Sequence, residues 1–212
     1  MLATSTPSYN PLSSLRRFVR KGSAEEHCEL CSRVLGHEHQ HLIDPKNRRL
    51  ICACDACAIL FDDPRSAKYR RVPRRIELLP DFRMTDVQWE SLHLPINLAF
   101  FYQSSVAERV IAMFPSPAGA TESLLTFESW QELVAENPIL SELASDVEAL
   151  LVNRVGPLRE YTRVPIDECF KLVGLIRTHW RGLSGGTEVW KEIARFSASL
   201  RERSVSGGGA HA

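Results

Sequence analysis

No run of apolar residues in this chain approaches the roughly 18 needed to span a bilayer. A membrane-embedded fold of the helical kind is therefore not expected. The first residues, MLATSTPSYNPLSSLRRFVRKGSAEE, contain no apolar stretch of signal-peptide type. That places the protein in the cytoplasm as an expectation, where clustered cysteines are metal-bound more often than disulfide-bonded. An excess of charge is also missing. Lys and Arg number 26 and Asp and Glu number 26, for a formal net charge of +0. There is no global electrostatic case for nucleic acid or a membrane surface as partner. No internal repeat is found.

Recognisable catalytic patterns are absent too. The SGG that follows HWRGL lacks the G-x-x-x-x-G-K-[ST] spacing of a phosphate loop and does not follow a strand. Helix termination explains it better. Glu108, Glu122, Asp146 and Asp167 form no paired-carboxylate motif. PSPAGATES carries hydroxyl groups but no neighbouring histidine base. Distance in sequence does not exclude a triad, but these residues do not point to an enzyme.

What is present is an ordinary globular composition, with 44% hydrophobic and 25% charged residues over 212 positions. That suffices for one substantial domain and a small module. The expected class is α+β. An N-terminal four-cysteine β-hairpin module of zinc-ribbon or rubredoxin type precedes an α+β domain that ends in an antiparallel helix pair. Five stretches follow from composition: a flexible arm over 1–24, carrying a short helix from Pro11 to Arg20; a Cys/His module over 25–63; a basic connector over 64–84; the α+β domain over 85–203; and a Gly-rich disordered tail over 204–212.

Within the module, HEHQHLID and RRLICAC read as strands. Asp44, Pro45, Lys46 and Asn47 form the turn between them. In the larger part, PINLAFFYQ and RVIAMFPSP read as strands and PSPAGATES as a loop. A helix begins near Phe127 and contains Trp130 and Leu133. NPILSELASDVEALLVN reads as a further helix, opened by Pro138, with Ile139, Leu143, Val147 and Leu150 at helical spacing. Pro165 opens the next helix, with Ile166, Cys169, Val173, Ile176 and Trp180 on one stripe. GLSGG ends it. Thr187 caps a last helix, whose stripe is Val189, Ile193, Phe196 and Leu200.

The stretch from His27 to Phe61 holds five of the six cysteines and four of the seven histidines. Cys28 and Cys31 form one C-x-x-C, and Cys54 and Cys57 another. Each pair can wrap a metal in a tight knuckle with backbone N–H groups aimed at the sulfurs. Two pairs supply the four thiolates of a tetrahedral site, the geometry preferred by Zn²⁺. Iron of the rubredoxin kind uses the same pairs and stays open as an alternative.

Cys52 is a fifth thiol. On a strand it shares a side with Cys54 and either replaces it or packs as a free thiol. His37, His39 and His41 alternate, so on a strand they share one face. Such a ladder is either a solvated strand face or an exchangeable nickel, copper or zinc site. His27 is a further substitute ligand beside Cys28.

The connector carries Arg65, Lys68, Arg70, Arg71, Arg74, Arg75 and Arg83 against Glu77 and Asp81. It can meet phosphates, but Tyr69 is its only aromatic residue. A solvated strand or an anionic protein partner fits better. Arg177, His179 and Arg181 gather around Trp180 as a candidate interaction surface. Cys169 lies on an apolar stripe and reads as core.

Taken together, CELC, HQHLIDPKNRRLICACDACAILF, RVIAMFPSPAGATESLL, DVEALLVNR and VPIDECFKLVGLIRTHWRGLSGGTEVW resemble a family of actinobacterial proteins of unknown function. Its genes commonly sit beside those of actinobacterial-type uptake nickel–iron hydrogenases. The resemblance runs from about Cys28 to about Phe196. It marks as family-typical Cys28, Cys31, Cys52, Cys54, Cys57, His39 and His41. It also marks Arg181, Gly182, Ser184, Gly185, Gly186 and Trp190, with Leu183 standing where the family usually has Phe. It implies a role in hydrogenase assembly or operation, and a hydrogenase subunit or maturation factor as partner.

The resulting expectation is a non-enzymatic metal-binding accessory protein. Behind it stand a one-iron electron carrier, then nickel or zinc delivery through the histidine ladder, then a nucleic-acid-binding ribbon resting on Arg70, Arg71, Arg74 and Arg75.

Overall fold

The computed structural model describes residues 25–62, 68–123, 127–182 and 185–204. The arm over 1–24 with its Pro11–Arg20 helix, residues 205–212 of the Gly-rich tail and Arg65 lie outside the described residues. Two antiparallel sheets organise the chain. The smaller has the order Arg49–Ala53, Gln40–Asp44, Arg70–Arg71, and the larger the order Glu77–Leu78, Glu160–Pro165, Glu148–Asn153, Leu98–Ser104, Arg109–Ser116, Gly119–Ser123.

The small sheet is built on the expected hairpin. β1 (Gln40–Asp44) and β2 (Arg49–Ala53) pair in register, His41 opposite Cys52 and Asp44 opposite Arg49. Asp44 holds the turn. Its carboxylate accepts from the Lys46 backbone N–H and from the Asn47 amide, each at 3.0 Å. β1 starts at Gln40, so His37 and His39 precede the strand. α1 (Asp55–Leu60) follows β2 directly. β3 (Arg70–Arg71) then adds to the other edge of β1.

The large sheet takes β4 (Glu77–Leu78), β5 (Leu98–Ser104), β6 (Arg109–Ser116), β7 (Gly119–Ser123), β8 (Glu148–Asn153) and β9 (Glu160–Pro165). α2 (Asp86–Ser91) and α3 (Phe127–Glu136) cover one face, and α4 (Ile166–His179) and α5 (Gly186–Arg203) the other. Alternation along β5 shows how: Leu98, Phe100 and Tyr102 enter the core with α4 and α5, while Ala99 and Phe101 enter the core with Trp89, Trp130 and Leu133.

Two readings from the sequence are corrected here. NPILSELASDVEALLVN is not a helix: a 3₁₀ turn at Pro138–Glu142 is followed by β8. All six residues of β8 are buried, because helices lie on both sides of the sheet. A strand buried on both faces shows a continuous apolar run, and period alone cannot separate that from a buried helix. PSPAGATES is not a loop but a tight hairpin, with Ser116 paired to Gly119 and Phe114 to Thr121.

The apolar stripes of the last two helices reach the core as read. Ile166, Cys169, Val173 and Ile176 pack with Val189, Ile193, Phe196 and Leu200. Trp180 sits just past the end of α4 and is partly buried. The entry to α5 is not capped by Thr187. Gly185 occupies the N-cap with φ 88°. A Cβ there would lie 2.9 Å from Val189 Cγ1 and 3.2 Å from the Trp180 ring, so glycine is required twice over.

The small sheet is docked on the large one. Ile43 of β1, Val72 and Ile76 belong to the core under α4 and α5. Arg48 reaches across to Glu122 of β7 at 3.0 Å, and Arg70 to Asp146 at 3.4 Å. Arg71 Nε donates to Gln40 and Arg75 pairs with Glu77 at 3.4 Å, so three arginines of the basic stretch are engaged inside the protein. Among the described residues, no helix is long and apolar enough to cross a membrane.

Candidate metal centre

Cys28 and Cys31 lie on a tight turn ahead of the hairpin. Ser32 N–H donates to the Cys28 carbonyl at 2.8 Å, and Ser32 takes φ 62° to close the loop. Two further backbone bonds fix its place: Cys28 N–H to the Arg33 carbonyl at 2.8 Å, and Glu29 N–H to the Cys52 carbonyl at 2.9 Å. The second pair is held differently. β2 ends at Ala53 and Cys54 becomes the N-cap of α1, with Cys57 three residues on in its first turn. Side chains at N-cap and N3 face each other, as in a capping box. The hairpin therefore joins one knuckle to one helix start, rather than the two knuckles expected.

The outcome is a single cluster. The sulfurs of Cys28, Cys31, Cys54 and Cys57 all lie within 4.8 Å of one another and could hold a metal ion. Cys28, Cys54 and Cys57 are buried and Cys31 is exposed. Cys31 Sγ and Cys54 Sγ are 3.7 Å apart, far beyond a disulfide bond, and all the cysteines described are free thiols. Leu42, Ile51, Ala53 and Ala58 pack around them.

The electrostatics of the cluster push two of its thiols in opposite directions. Burial alone would raise the Cys28 thiol, but the N–H groups of Cys54, Leu30 and Cys31 aimed at its sulfur outweigh that and bring it to about 6. Cys57 moves the other way, to about 12, through burial and through hydrogen bonds with Cys31, Cys54 and Cys28. The Cys28 thiolate forms readily, while Cys57 beside it keeps its proton. A bound cation would offset repulsion between neighbouring thiolates.

Cys52 does not belong to this cage. It stands on the opposite side of β2 from Ile51 and Ala53, and its ligand atom groups with those of His39 and His41, all within 4.8 Å of one another. Burial, and then the carboxylates of Glu26 and Glu29, raise its thiol. Hairpin register explains the grouping, since Cys52 faces His41 directly. The expected ladder is thus broken at one end. His37 is exposed, outside β1 and outside the group. His27 is also apart, its Nδ1 2.7 Å from the Glu25 carbonyl.

One participant had no signal in the sequence. Asp167, at the start of α4, accepts from His41 Nδ1 at 2.7 Å across 126 positions of chain. The Cys52–His41 pairing, by contrast, can be read by counting back from the Asp44–Arg49 turn. Around Trp180, Arg181 caps the end of α4 by donating to the Thr178 and Trp180 carbonyls, at 3.1 and 2.9 Å, and His179 Nδ1 lies 3.0 Å from the Leu175 carbonyl. Cys169 is fully buried, which pushes its thiol well up, and it is core.

No curated protein and no solved structure matches this chain. Residues 27–204 match the family of unknown function DUF5947, and the chain belongs to that family.

Proposed function

We propose that this protein is a non-enzymatic accessory protein whose Cys28, Cys31, Cys54 and Cys57 hold one structural Zn²⁺, and whose surface docks a protein partner. The observation that carries the reading is the sulfur geometry. Zn–S bonds of about 2.3 Å place tetrahedral sulfurs roughly 3.8 Å apart, and Cys31 Sγ and Cys54 Sγ are separated by 3.7 Å. Four thiolates close the coordination sphere and leave no open position for a substrate, the arrangement of a structural site. When bound, the ion neutralises the thiolates. The chain's own residues direct N–H groups at Cys28 and shield the sulfurs with Leu42, Ile51 and Ala58.

A protein partner is supported by the surface next to the cage. Ile59 and Leu60 are 69% and 72% exposed, and Phe61 39%, in consecutive positions at the end of α1. Adjacent exposed apolar side chains suit a protein contact. The family resemblance supplies the partner class, a hydrogenase subunit or a hydrogenase maturation factor.

Elemental analysis of protein purified without added metal tests the first half. One zinc per chain and no visible absorption are expected, and a red, redox-active iron site overturns it. Affinity capture from cells that make the hydrogenase tests the second. Recovery of a hydrogenase subunit or maturation factor that is lost on Leu60→Lys supports docking through α1. Absence of any such protein from the captured material contradicts the partner assignment.

A further inference from the structure

The hairpin has two sides, and the cage uses only one. On the other side stand His39, His41 and Cys52, whose ligand atoms lie within 4.8 Å of one another. The two imidazoles meet edge to face with centroids 4.8 Å apart. Each ring has its Nδ1 already engaged. His41 Nδ1 is 2.7 Å from Asp167 Oδ2, and His39 Nδ1 is 3.1 Å from the Gly36 carbonyl and 3.4 Å from Glu26 Oε2. With Nδ1 donating, the tautomer leaves Nε2 as a lone-pair donor on each ring.

The second observation concerns His39 alone. Its side chain is only 8% exposed, yet its buried Nε2 has no hydrogen-bond partner among the described residues. A buried ring nitrogen without a partner costs free energy unless something binds it.

We propose that His39, His41 and Cys52 form a second metal site, separate from the four-cysteine cage, that takes a divalent first-row cation of the Zn²⁺ or Ni²⁺ kind and keeps one coordination position open. Two imidazoles and a thiolate suit borderline-soft cations and not magnesium or calcium. Three protein ligands with a free fourth position are the pattern of an exchangeable or reactive site, in contrast to a closed structural one. Asp167 is a positioning residue: its carboxylate fixes the His41 tautomer and ring orientation and raises the basicity of Nε2. On coordination the Cys52 thiol gives its proton to solvent, while both imidazoles bind as neutral ligands.

Bond lengths of about 2.0 Å to nitrogen and 2.3 Å to sulfur bring ligand atoms to roughly 3.5 Å from one another. The present separations, all within 4.8 Å, leave that closure to side-chain rotation. Entry is through the cleft of about 460 Å³ between the hairpin and α4, which His39, His41 and Asp167 line together.

The test uses the full chain with its cage already loaded with zinc. Co²⁺ is titrated in and followed by the sulfur-to-cobalt charge-transfer band, with bound metals counted after gel filtration. Two ions per chain are expected, the second giving a one-thiolate band. Cys52→Ala removes that band, and His41→Ala weakens the second ion by tenfold or more. Asp167→Asn weakens it by about 10–100-fold, and His37→Ala leaves it unchanged. Melting curves of the variants without Co²⁺ separate ligand loss from unfolding. One ion per chain in the wild type, or equal binding of the second ion by the Cys52→Ala chain, overturns the proposal. A mild chelator strips the exchangeable ion before titration, so the zinc that remains reports on the cage and the two sites fail or stand separately.

Discussion

The small and large sheets solve the same problem with different means. The large sheet has a core on each face, with Phe100 and Leu151 on one side and Phe101 and Leu150 on the other. The small sheet has three short strands and a core of seven buried residues, three of them cysteine. So little apolar burial does not offset the entropy of ordering a hairpin and a one-turn loop. The difference teaches where each region is vulnerable. On the proposed reading, one fails when its packing is disturbed and the other when its metal ligands are removed.

The largest effect should come from Cys54→Ser or Cys57→Ser. Structural zinc contributes folding free energy of about 10–16 kcal/mol in isolated finger modules. Either substitution should abolish tight metal binding and remove hydrogen-exchange protection from β1 and β2, leaving β5 and β8 protected. Next comes the buried Arg163–Glu148 pair between β9 and β8, whose side chains are 8% and 5% exposed. Glu148→Ala leaves the buried guanidinium only the Glu142 carbonyl at 3.1 Å and the Glu77 carboxylate at 3.9 Å, and should cost about 3 kcal/mol in denaturant unfolding, with metal content unchanged.

Leu150→Ala opens a cavity in the α2–α3 side of the core. It should cost about 2–5 kcal/mol, again without loss of metal. Together these two variants sharpen the contrast, since each must lower global stability while the cage stays loaded.

The smallest effect is at the seam. Glu122 joins Arg109 of its own sheet and Arg48 of the hairpin turn. Partial burial would raise its carboxyl, but hydrogen bonds from Arg109 and Arg48 outweigh that and hold it below the ordinary 4.5. A lowered folded-state value means the pair stabilises above that ordinary value and loses its contribution as pH falls through the lowered one. Glu122→Gln should cost about 0–1 kcal/mol at neutral pH. In acid, the difference from wild type should disappear, and melting curves at two pH values would show it.

How far the sequence revealed this depended on the range of the interaction. The cysteine pairs were legible because ligand spacing is local: two residues between sulfurs is a statement about one turn. The hairpin was legible from Asp44, whose carboxylate does what a turn residue does. Cys52 stays open between ligand and free thiol in the sequence because reading the strand through Cys54 puts both cysteines on one side. β2 stops at Ala53, so Cys54 swings into a helix cap and Cys52 keeps the opposite face. His37 was assigned to a strand that begins at Gln40. β8 looked helical because both of its faces are covered, a fact about other elements and not about its own residues. Asp167 was invisible for the same reason, its partner being brought near only by docking of the hairpin on α4.

The most direct test of the contrast between the two sheets is hydrogen exchange of the purified full chain before and after removal of its metal by a strong chelator. The account predicts one zinc per chain at the start. Zinc removal should erase protection at β1, β2 and α1 while β5, β8 and β9 keep theirs. A chain that carries no metal as purified, or one whose hairpin amides remain equally protected after the metal is gone, would contradict it.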